Sequence, residues 1–322
     1  MTEKLKNLKK ISVVMATYNG EKYIREQLDS ILLQTYPVYE LIIQDDGSTD
    51  STVKIIKEYA DKNECIHFYQ NEHNLGFREN FKTATMRATG DYIALADQDD
   101  VWYPQKLEKQ IDAIGNNDMC YSMHHRGPDM QHTHIVSYQC APERQLFAAI
   151  VGHSMLMRRE YAQNANNWLD YMPTHDISLS IMAHFSNGVV CVEEPLNWHR
   201  NHNASASNPV NTIVKNKSKE WGLDFCKPYI YGYKYLRRIQ TTIAFKKYYT
   251  EIARRSENKN PLVHNICRLM LKKDFTSLIK LCYICLKHRK TIYPAKTHGL
   301  SGIIRGFCYP LIYAYHNDYF IR

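Results

Sequence analysis

The sequence lacks the phosphate-binding loops of the commonest nucleotide-binding folds. No Gly-x-Gly-x-x-Gly follows its first apolar segment, and no Gly-Lys-Ser or Gly-Lys-Thr occurs anywhere. Dinucleotide-binding and P-loop folds therefore lose support. The sequence also has no apolar run of about 18 residues, which is the length that a membrane-spanning helix requires.

Nothing in the sequence indicates a secreted protein held together by disulfides. The nine cysteines do not follow the spacing of a disulfide framework. Residues 1–10 are basic and lack the apolar core of a signal peptide. We therefore expect a reduced, cytoplasmic protein. Its 322 residues are enough for one large domain and an appendage.

Charge is distributed unevenly along the chain. Val214 to Arg322 contains 22 Lys and Arg against 6 Asp and Glu, whereas the rest contains 19 basic and 27 acidic residues. The change follows residues 201–219, which are rich in Asn, Ser and Lys and are typical of a linker. The sequence therefore predicts two parts, a domain at 1–210 and a basic helical region at 211–322.

Strand-like and helix-like patterns alternate through the first hundred residues. Apolar, β-branched segments at 11–17, 40–44, 66–69 and 91–96 are separated by segments whose apolar residues recur at helical spacing. This alternation predicts an α/β fold, in which helices flank a mostly parallel sheet on both faces.

Polar clusters follow three of these strands, at the edge where parallel sheets bind ligands. They are Thr17-Tyr18-Asn19, Asp45-Asp46-Gly47 and Asp97-Gln98-Asp99-Asp100. The three carboxylates of the last cluster would repel one another after a buried strand. Mg²⁺ or Mn²⁺ would relieve that repulsion and bind phosphate oxygens. The alternative is a solvated acidic loop with no ligand.

The order of these clusters resembles that of glycosyltransferase family 2, whose members have the Rossmann-like GT-A fold. The resemblance covers residues 11–110. Its motifs are Ser12 to Gly20, Gln34-Thr35-Tyr36, Asp45 to Asp50, Asn74-Leu75-Gly76, Ala88 to Ile93 and Asp97 to Trp102. The last motif resembles that of bacterial rhamnosyltransferase-like members, which build O-antigen, capsule and other surface polysaccharides.

The resemblance implies a role for several residues of the crevice. Asp99 would bind Mn²⁺ or Mg²⁺, Asp46 would hydrogen-bond the nucleotide base, and Asp97 would approach the ribose. The residues that would border the nucleotide are Thr17, Tyr18 and Asn19. Arg78 is a further candidate for contacting the nucleotide, although a solvent-facing position on a helix is an equal alternative.

Later motifs match the family more loosely. Thr174-His175-Asp176 resembles the motif of the catalytic base, so Asp176 is the candidate base, with a helix N-cap as the alternative. Segment 199–205 resembles an Arg-x-His element near the diphosphate. His202 is therefore a candidate metal ligand, or else a residue of an ordinary surface loop. Segment 118–149 departs from the family pattern, which leaves the acceptor side undefined.

These roles together imply an inverting, metal-dependent sugar transferase. A metal would neutralise the leaving diphosphate, and a carboxylate would deprotonate the acceptor hydroxyl. The donor would be a nucleoside-diphosphate sugar, with dTDP-L-rhamnose as one candidate, and the acceptor a glycan or lipid-linked oligosaccharide. A UDP-hexose or UDP-N-acetylhexosamine donor remains open, as does a sugar-nucleotide-binding protein without catalysis.

The basic region predicts a second type of partner. Leu236, Ile239 and Ile243 recur at helical spacing among Lys and Arg residues, a pattern typical of helices that lie on anionic membranes. We expect peripheral association with the inner face of the cell membrane, and a helical cap on the catalytic domain is the alternative. Nucleic acid is not an expected partner, because acids rather than a basic groove follow the strands.

Overall fold

The computed structural model describes residues 8–202, 226–293 and 298–317. These residues form two compact units, each of which is described by itself. The first takes its described residues from 1–138, 150–168 and 174–201, and the second from 139–149, 169–173 and 202–322. The predicted domain boundary at residue 210 and most of the predicted linker lie outside the described residues.

The first unit contains one sheet, and its strands run in the order β3-β2-β1-β4-β8-β6-β9-β5, with β7 paired to β6. The strands are β1 (Ile11–Thr17), β2 (Glu40–Asp45), β3 (Ile66–Gln70), β4 (Tyr92–Asp97), β5 (Val101–Trp102), β6 (Met119–Gly127), β7 (His134–Val136), β8 (Met155–Arg158) and β9 (Val189–Arg200).

Helices surround the sheet and make up most of the second unit. In the described residues they are α1 (Ile24–Leu32), α2 (Thr52–Ala60), α3 (Phe77–Arg87), α4 (Lys106–Ile114), α5 (Pro142–Gln145), α6 (Arg159–Ala162), α7 (His175–His184), α8 (Lys227–Ile239), α9 (Ile243–Ser256), α10 (Pro261–Leu271), α11 (Phe275–Lys287), α12 (Arg289–Ile292), α13 (Gly299–Phe307) and α14 (Tyr309–His316). Short 3₁₀ turns occur at Gly152–Ser154 and Ala165–Asn167.

The predicted parallel sheet is confirmed in the first half of the chain. β1 pairs in parallel with β2 and β4, and β2 pairs in parallel with β3. β1, β2 and β4 are almost wholly buried because helices cover both faces of the sheet, which is why the middle of each strand is apolar. In the register of the sheet, Thr17 lies beside Asp45, and Asp97 lies beside Ala16. The polar clusters therefore begin at one edge.

The second half of the sheet is mixed, which the strand patterns did not predict. β8 is antiparallel to both β4 and β6, whereas β9 runs parallel to β6 with register shifts between Ser122 and His125. The end of β9 pairs with β5, so that Trp198 lies opposite Val101. This pairing brings the last residues of β9 next to the acidic loop that follows β4.

The second unit is helical, as the sequence predicted for the basic region. Its helices bury Phe245, Tyr249, Ile266 and Leu281 among other apolar side chains. Within the described helices, none combines the length and the apolar character that are needed to cross a bilayer. Cys282 and Cys285 form a Cys-x-x-Cys pair on α11, and both are buried free thiols.

Candidate functional site

The loop after β2 is organised by the buried Asp45. Its Oδ1 accepts hydrogen bonds from the Gly47 amide at 3.1 Å and the Ser48 amide at 2.9 Å. Thr17 Oγ1 donates to its Oδ2 at 3.0 Å, which links the ends of β1 and β2. Asp45 therefore shapes the turn, because its carboxylate is already occupied by neighbouring donors.

The loop after β1 presents Tyr18 and Asn19 at this edge. Asn19 has a φ of 49°, a left-handed conformation that asparagine tolerates better than most residues. Its amide donates to Ser48 Oγ at 2.8 Å, and its Oδ1 accepts from the Thr49 amide at 2.8 Å. The ring of Tyr18 is exposed. Asn19, a predicted nucleotide-contacting residue, is thus fixed to the loop after β2 by hydrogen bonds.

Gln98 joins the loop after β1 to the acidic loop after β4. Its Oε1 accepts from the Tyr18 amide and its Nε2 donates to the Tyr18 carbonyl, both at 2.9 Å. A Cβ on Gly20 would lie only 2.2 Å from Gln98 Oε1, so this clamp requires glycine at position 20. This function of Gln98 was not predicted from the sequence.

Asp46 holds the loop that contains Asn74-Leu75-Gly76. Its Oδ1 accepts from the Leu75 amide at 2.7 Å and from Asn71 Nδ2 at 2.8 Å, and its Oδ2 accepts from the Gly76 amide at 2.8 Å. The predicted contact with a base would therefore be shared with these donors. Arg78, two residues beyond that loop, donates to Glu79 Oε1 at 2.9 Å.

Two acids and two histidines form a cluster beside this edge. Asp97, Asp100, His153 and His199 each offer one ligand atom, and these atoms all lie within 4.8 Å of one another. His199 Nδ1 donates to Asp100 Oδ1 at 2.9 Å, and His153 Nδ1 lies 3.3 Å from Asp100 Oδ2. The rings of His153 and His199 stack at 4.7 Å between centroids. His124 packs edge-on against His153 at 4.8 Å.

Burial and charge shift the pKa values of this cluster in opposite directions. Burial, reinforced by Asp100 and Asp99, raises the pKa of Asp97 well above its ordinary value. Burial alone would lower the pKa of His199, but the carboxylates of Asp100, Asp97 and Asp99 together outweigh it and raise that pKa to about 9. Burial lowers the pKa of His153 well below its ordinary value and that of His124 to about 3.

The cluster has the donor chemistry of a divalent metal site. His199 Nδ1 donates to Asp100 Oδ1, which leaves its Nε2 as the nitrogen that would bind a cation. His153 Nε2 is buried and has no hydrogen-bond partner among the described residues. A cation would satisfy such a nitrogen and relieve the repulsion between carboxylates. The residues therefore fit the metal that the acidic motif predicted.

Asp176 lies close to this cluster. It is in the first turn of α7, where the helix dipole favours a negative charge, and Thr174 rather than Asp176 is the N-cap residue. His175 Nε2 lies 3.0 Å from Asp176 Oδ1, without the angles of a hydrogen bond. The carboxylate of Asp176 also contributes to raising the pKa of Asp97. Gly152 is required here, since its Cβ would lie 2.8 Å from Asp176 Oδ1.

The two residues that the sequence predicted as metal ligands, Asp99 and His202, are not part of this cluster of acids and histidines in the described chain. The Asp99 carbonyl accepts from Arg200 Nε at 3.2 Å, so the end of β9 contacts the acidic loop directly. His202 belongs to the second unit. Both residues therefore remain predictions as ligands.

Three residues near the acids were not predicted from the sequence: His153, His199 and Asn197. The Nδ2 atom of Asn197 lies 2.9 Å from His153 Nδ1. His199 lies in the segment 199–205 that resembles the Arg-x-His element of the family. The only signal in the sequence was the position of the two histidines, one beside a glycine and the other just before the Arg-x-His element. Neither position indicates which histidines lie near the acids, because their location depends on the pairing of β9 with β5 and β6.

Known proteins resemble about a third of the chain in sequence. A Bacillus subtilis protein described as glycosyltransferase EpsE is 44% identical over 103 residues, which are 32% of this chain and 37% of EpsE. Another from the same organism, described as teichuronic acid biosynthesis glycosyltransferase TuaG, is 38% identical over 112 residues, which are 35% of this chain and 44% of TuaG. The chain thus matches less than half the length of either relative.

Solved structures resemble the chain over nearly its whole length. S. aureus TarS 1–349 in complex with UDP-GlcNAc aligns with a TM-score of 0.57 at 16% identity, over 96% of this chain and 91% of that chain. The mannosyltransferase PcManGT from Pyrobaculum calidifontis, in complex with GDP-Man and Mn²⁺, aligns with a TM-score of 0.52 at 15% identity, over 97% of this chain and 87% of that chain. These likenesses show the fold. The sequence profile of glycosyl transferase family 2 matches residues 12–174, just over half of the 322 residues, and the chain therefore belongs to glycosyl transferase family 2.

Proposed function

We propose that the protein transfers a sugar from a nucleoside-diphosphate sugar to a hydroxyl group of an acceptor. One observation carries the proposal: the cluster of Asp97, Asp100, His153 and His199 lies at the carboxyl edge of the sheet, with Asp176 close enough to shift the pKa of Asp97. A group that binds a metal and a carboxylate that accepts a proton are the two elements that the chemistry of such a transfer requires.

A divalent cation, Mn²⁺ or Mg²⁺, would neutralise the diphosphate as it leaves. The carboxylates and imidazoles of the cluster support this part of the proposal, as does the Mn²⁺ of PcManGT. Asp99 is proposed as a further ligand from the acidic loop, and His202 as a ligand from the segment after β9. His199 and His153 are the candidates that the geometry adds.

Asp176 is proposed as the base that accepts the proton of the acceptor hydroxyl. Its Oδ1 accepts no hydrogen bond from the described residues, and 25% of its side chain is exposed, which supports a carboxylate that an acceptor hydroxyl can reach. A carboxylate in this role contributes about 10²–10⁴-fold to the rate. Attack by the activated hydroxyl in one step would invert the anomeric centre.

The nucleotide would bind along the loops after β1, β2 and β4. Tyr18 would stack on the base, with Thr17 and Asn19 beside it, and Asp46 would accept a hydrogen bond from the base. Asp97 would approach the ribose, and Arg78 would contact the nucleotide from α3. The exposure of the Tyr18 ring supports this arrangement.

The donor proposed first is dTDP-L-rhamnose, because the motif from Asp97 to Trp102 resembles that of rhamnosyltransferase-like members. The proposed acceptor is a glycan or lipid-linked oligosaccharide of a surface polysaccharide. The basic second unit would hold the protein at the inner, anionic face of the cell membrane. The excess of Lys and Arg after Val214 supports this location.

Thermal unfolding with candidate donors tests the proposal. The donors are dTDP-rhamnose, UDP-glucose, UDP-galactose, UDP-N-acetylglucosamine and GDP-mannose, each with Mn²⁺ or Mg²⁺. A donor at 100 times its dissociation constant adds about 2.7 kcal/mol to the free energy of unfolding. We expect one donor to raise the melting temperature and to release its nucleoside diphosphate in the presence of acceptor. Stabilisation by a donor without release under any condition would indicate a binding protein instead.

A further inference from the structure

Helix α13 buries its smallest residues and exposes its large apolar ones. Gly302 and Gly306 face inward, whereas Leu300, Ile303 and Ile304 are exposed. A Cβ on Gly306 would lie 2.9 Å from Arg289 Cβ, so the glycine side of the helix packs closely on α12. A surface helix of a water-soluble domain normally turns its apolar side inward. The arrangement in α13 is the reverse.

Helix α11 packs against α13 and repeats the pattern. Phe275, Ile279 and Tyr283 are exposed and recur at intervals of four residues, which places them on one side of the helix. The opposite side of α11 has its own buried apolar residues, including Leu278 and Leu281. The exposed residues are therefore additional to a complete core. We refer to Phe275, Ile279, Tyr283, Leu300, Ile303 and Ile304 as the apolar face.

The charge around the apolar face is mainly positive, with Asp274, the N-cap residue of α11, as an adjacent acid. From Phe275 to Asn317 the sequence has six Lys and Arg and no Asp or Glu. Lys280, Lys287 and Lys290 are exposed, and Lys287 continues the row of Phe275, Ile279 and Tyr283 along α11. A second copy of the chain would bring the same positive charge to this face, and like charges oppose such an association. An anionic surface with an apolar interior matches both its charge and its apolar side chains.

We propose that the apolar face inserts into the headgroup region of an anionic lipid bilayer, with Lys280, Lys287 and Lys290 at the lipid phosphates. Apolar residues buried at the acyl boundary and cations in the headgroups are the two components of interfacial binding. This inference rests on the proposed attachment to the membrane and deepens it. It assigns the contact to α11 and α13.

Vesicle binding by the full chain tests the inference. The variant Leu300→Ser/Ile304→Ser removes two apolar side chains from the face and keeps every charge. Leu33→Ser is the matched control, because Leu33 lies in the first unit and is exposed to the same 73% as Leu300. With vesicles of phosphatidylcholine and phosphatidylglycerol, we expect the double variant to bind at least roughly tenfold more weakly and the control to bind as the wild type does.

Insertion itself is measured by a tryptophan placed on the face. In Ile303→Trp, brominated lipid should quench fluorescence beyond the level of the wild type, whereas Leu33→Trp should show no added quenching. Thermal unfolding establishes that each variant is folded. Unchanged vesicle binding by the double variant would overturn the assignment of the face while leaving membrane attachment in place.

Two further results would contradict the inference. A wild-type dimer that becomes monomeric in Leu300→Ser/Ile304→Ser, with unchanged vesicle binding, would make the face a protein interface. Failure of the wild type to bind vesicles would overturn both the insertion and the proposed attachment. Sugar transfer to an acceptor in solution is measured separately, so that failure would leave the proposed transferase activity unaffected.

Discussion

The three acids of the loop after β4 have different environments, although they stand within four positions of one another. Asp100 is fully buried and its carboxylate serves His199 and Asn197. Asp97 ends its strand with a raised pKa, and the main chain of Asp99 is held by Arg200. Three aspartates within four positions therefore have three different environments, because the chain turns after β4.

Replacement of Asp176 tests the proposed base. Asp176→Asn keeps the size of the side chain but cannot accept the proton, so we expect the transfer rate to fall by about 10²–10⁴-fold. Donor affinity, measured by titration of the nucleotide sugar, should change little. If donor affinity collapsed while the rate at saturating donor persisted, Asp176 would be a binding residue.

Replacement of Asp99 tests the acidic motif as a metal site. Asp99→Asn removes one charge from the loop, so we expect half-maximal activity to require a higher Mn²⁺ concentration and the maximal rate to fall. Asp61→Asn is the control, because Asp61 is an exposed acid at the end of α2. A Mn²⁺ titration that is the same for Asp99→Asn and wild type would show that Asp99 is not a ligand.

Some site residues could be predicted from the sequence and others could not, for a physical reason. The acids after β4 are adjacent in sequence, so their mutual repulsion is visible without a structure. His124, His153 and His199 are distant in sequence and meet only because β6 and β9 pair and the turn at Gly152–Ser154 lies beside them. Their meeting depends on long-range packing, which has no local sequence signal.

Within α4, the fully buried Lys106 carries a cost that depends on pH. Burial lowers the pKa of Lys106 to about 7, and its Nζ has Gln110 Oε1 at 3.1 Å and the Trp102 ring at 4.7 Å as neighbours. The unfolded chain keeps this proton until about pH 10.5. Between these values the unfolded state binds more protons, so the free energy of unfolding rises with pH.

Lys106→Met should reveal this dependence. The variant has no ammonium group to bury, so we expect it to gain stability relative to wild type at about pH 6, by up to an order of 4 kcal/mol. The gain should shrink toward about pH 9. Urea unfolding of both proteins at the two pH values measures it. A difference in stability that does not change with pH would mean that Lys106 keeps its proton in the folded state.

The hydrogen bonds of Gln98 to Tyr18 connect the loop after β4 to the loop after β1, and their removal should affect nucleotide binding. Gln98→Ala removes both hydrogen bonds to Tyr18, each worth about 1 kcal/mol, so the loop after β1 should loosen. We expect nucleotide affinity to fall, and Gly20→Ala to have a similar effect by displacing the Gln98 side chain. Gln105→Ala is the control, an exposed glutamine at the start of α4. Equal nucleotide affinities in all four proteins would contradict the clamp.

The strands of the first half were predictable because each is a short apolar run between turn residues. The predicted strand at 11–17 coincides with β1, and the one at 40–44 is one residue shorter than β2. β6 and β9 contain histidines, serine and glutamates, so they do not have a simple apolar pattern. Their register shifts further remove the alternation that would have indicated strands.

At the scale of the whole molecule, charge separates the two parts of the sequence. The acidic part contains the residues of the candidate site, and the basic part begins near Val214. A charge difference of this kind does not determine a fold, but it does determine which surfaces attract anions. The effect of this uneven charge is therefore tested by measuring binding to anionic surfaces rather than by measuring the stability of the fold.

Charge reversal in the basic region should weaken binding to anionic vesicles. We expect the full chain to co-sediment with vesicles that contain phosphatidylglycerol. Substitution of four basic residues by Glu should reduce the bound fraction; these residues are Arg237, Arg238, Lys246 and Lys247. The effect should be largest at low salt, because the Debye length falls from about 30 Å at 0.01 M to about 10 Å at 0.1 M salt. Reversal of Lys54, Lys57, Lys62 and Lys82 in the first unit is the matched control. Equal losses in the two variants would mean that total charge, rather than the second unit, attracts the protein to the membrane.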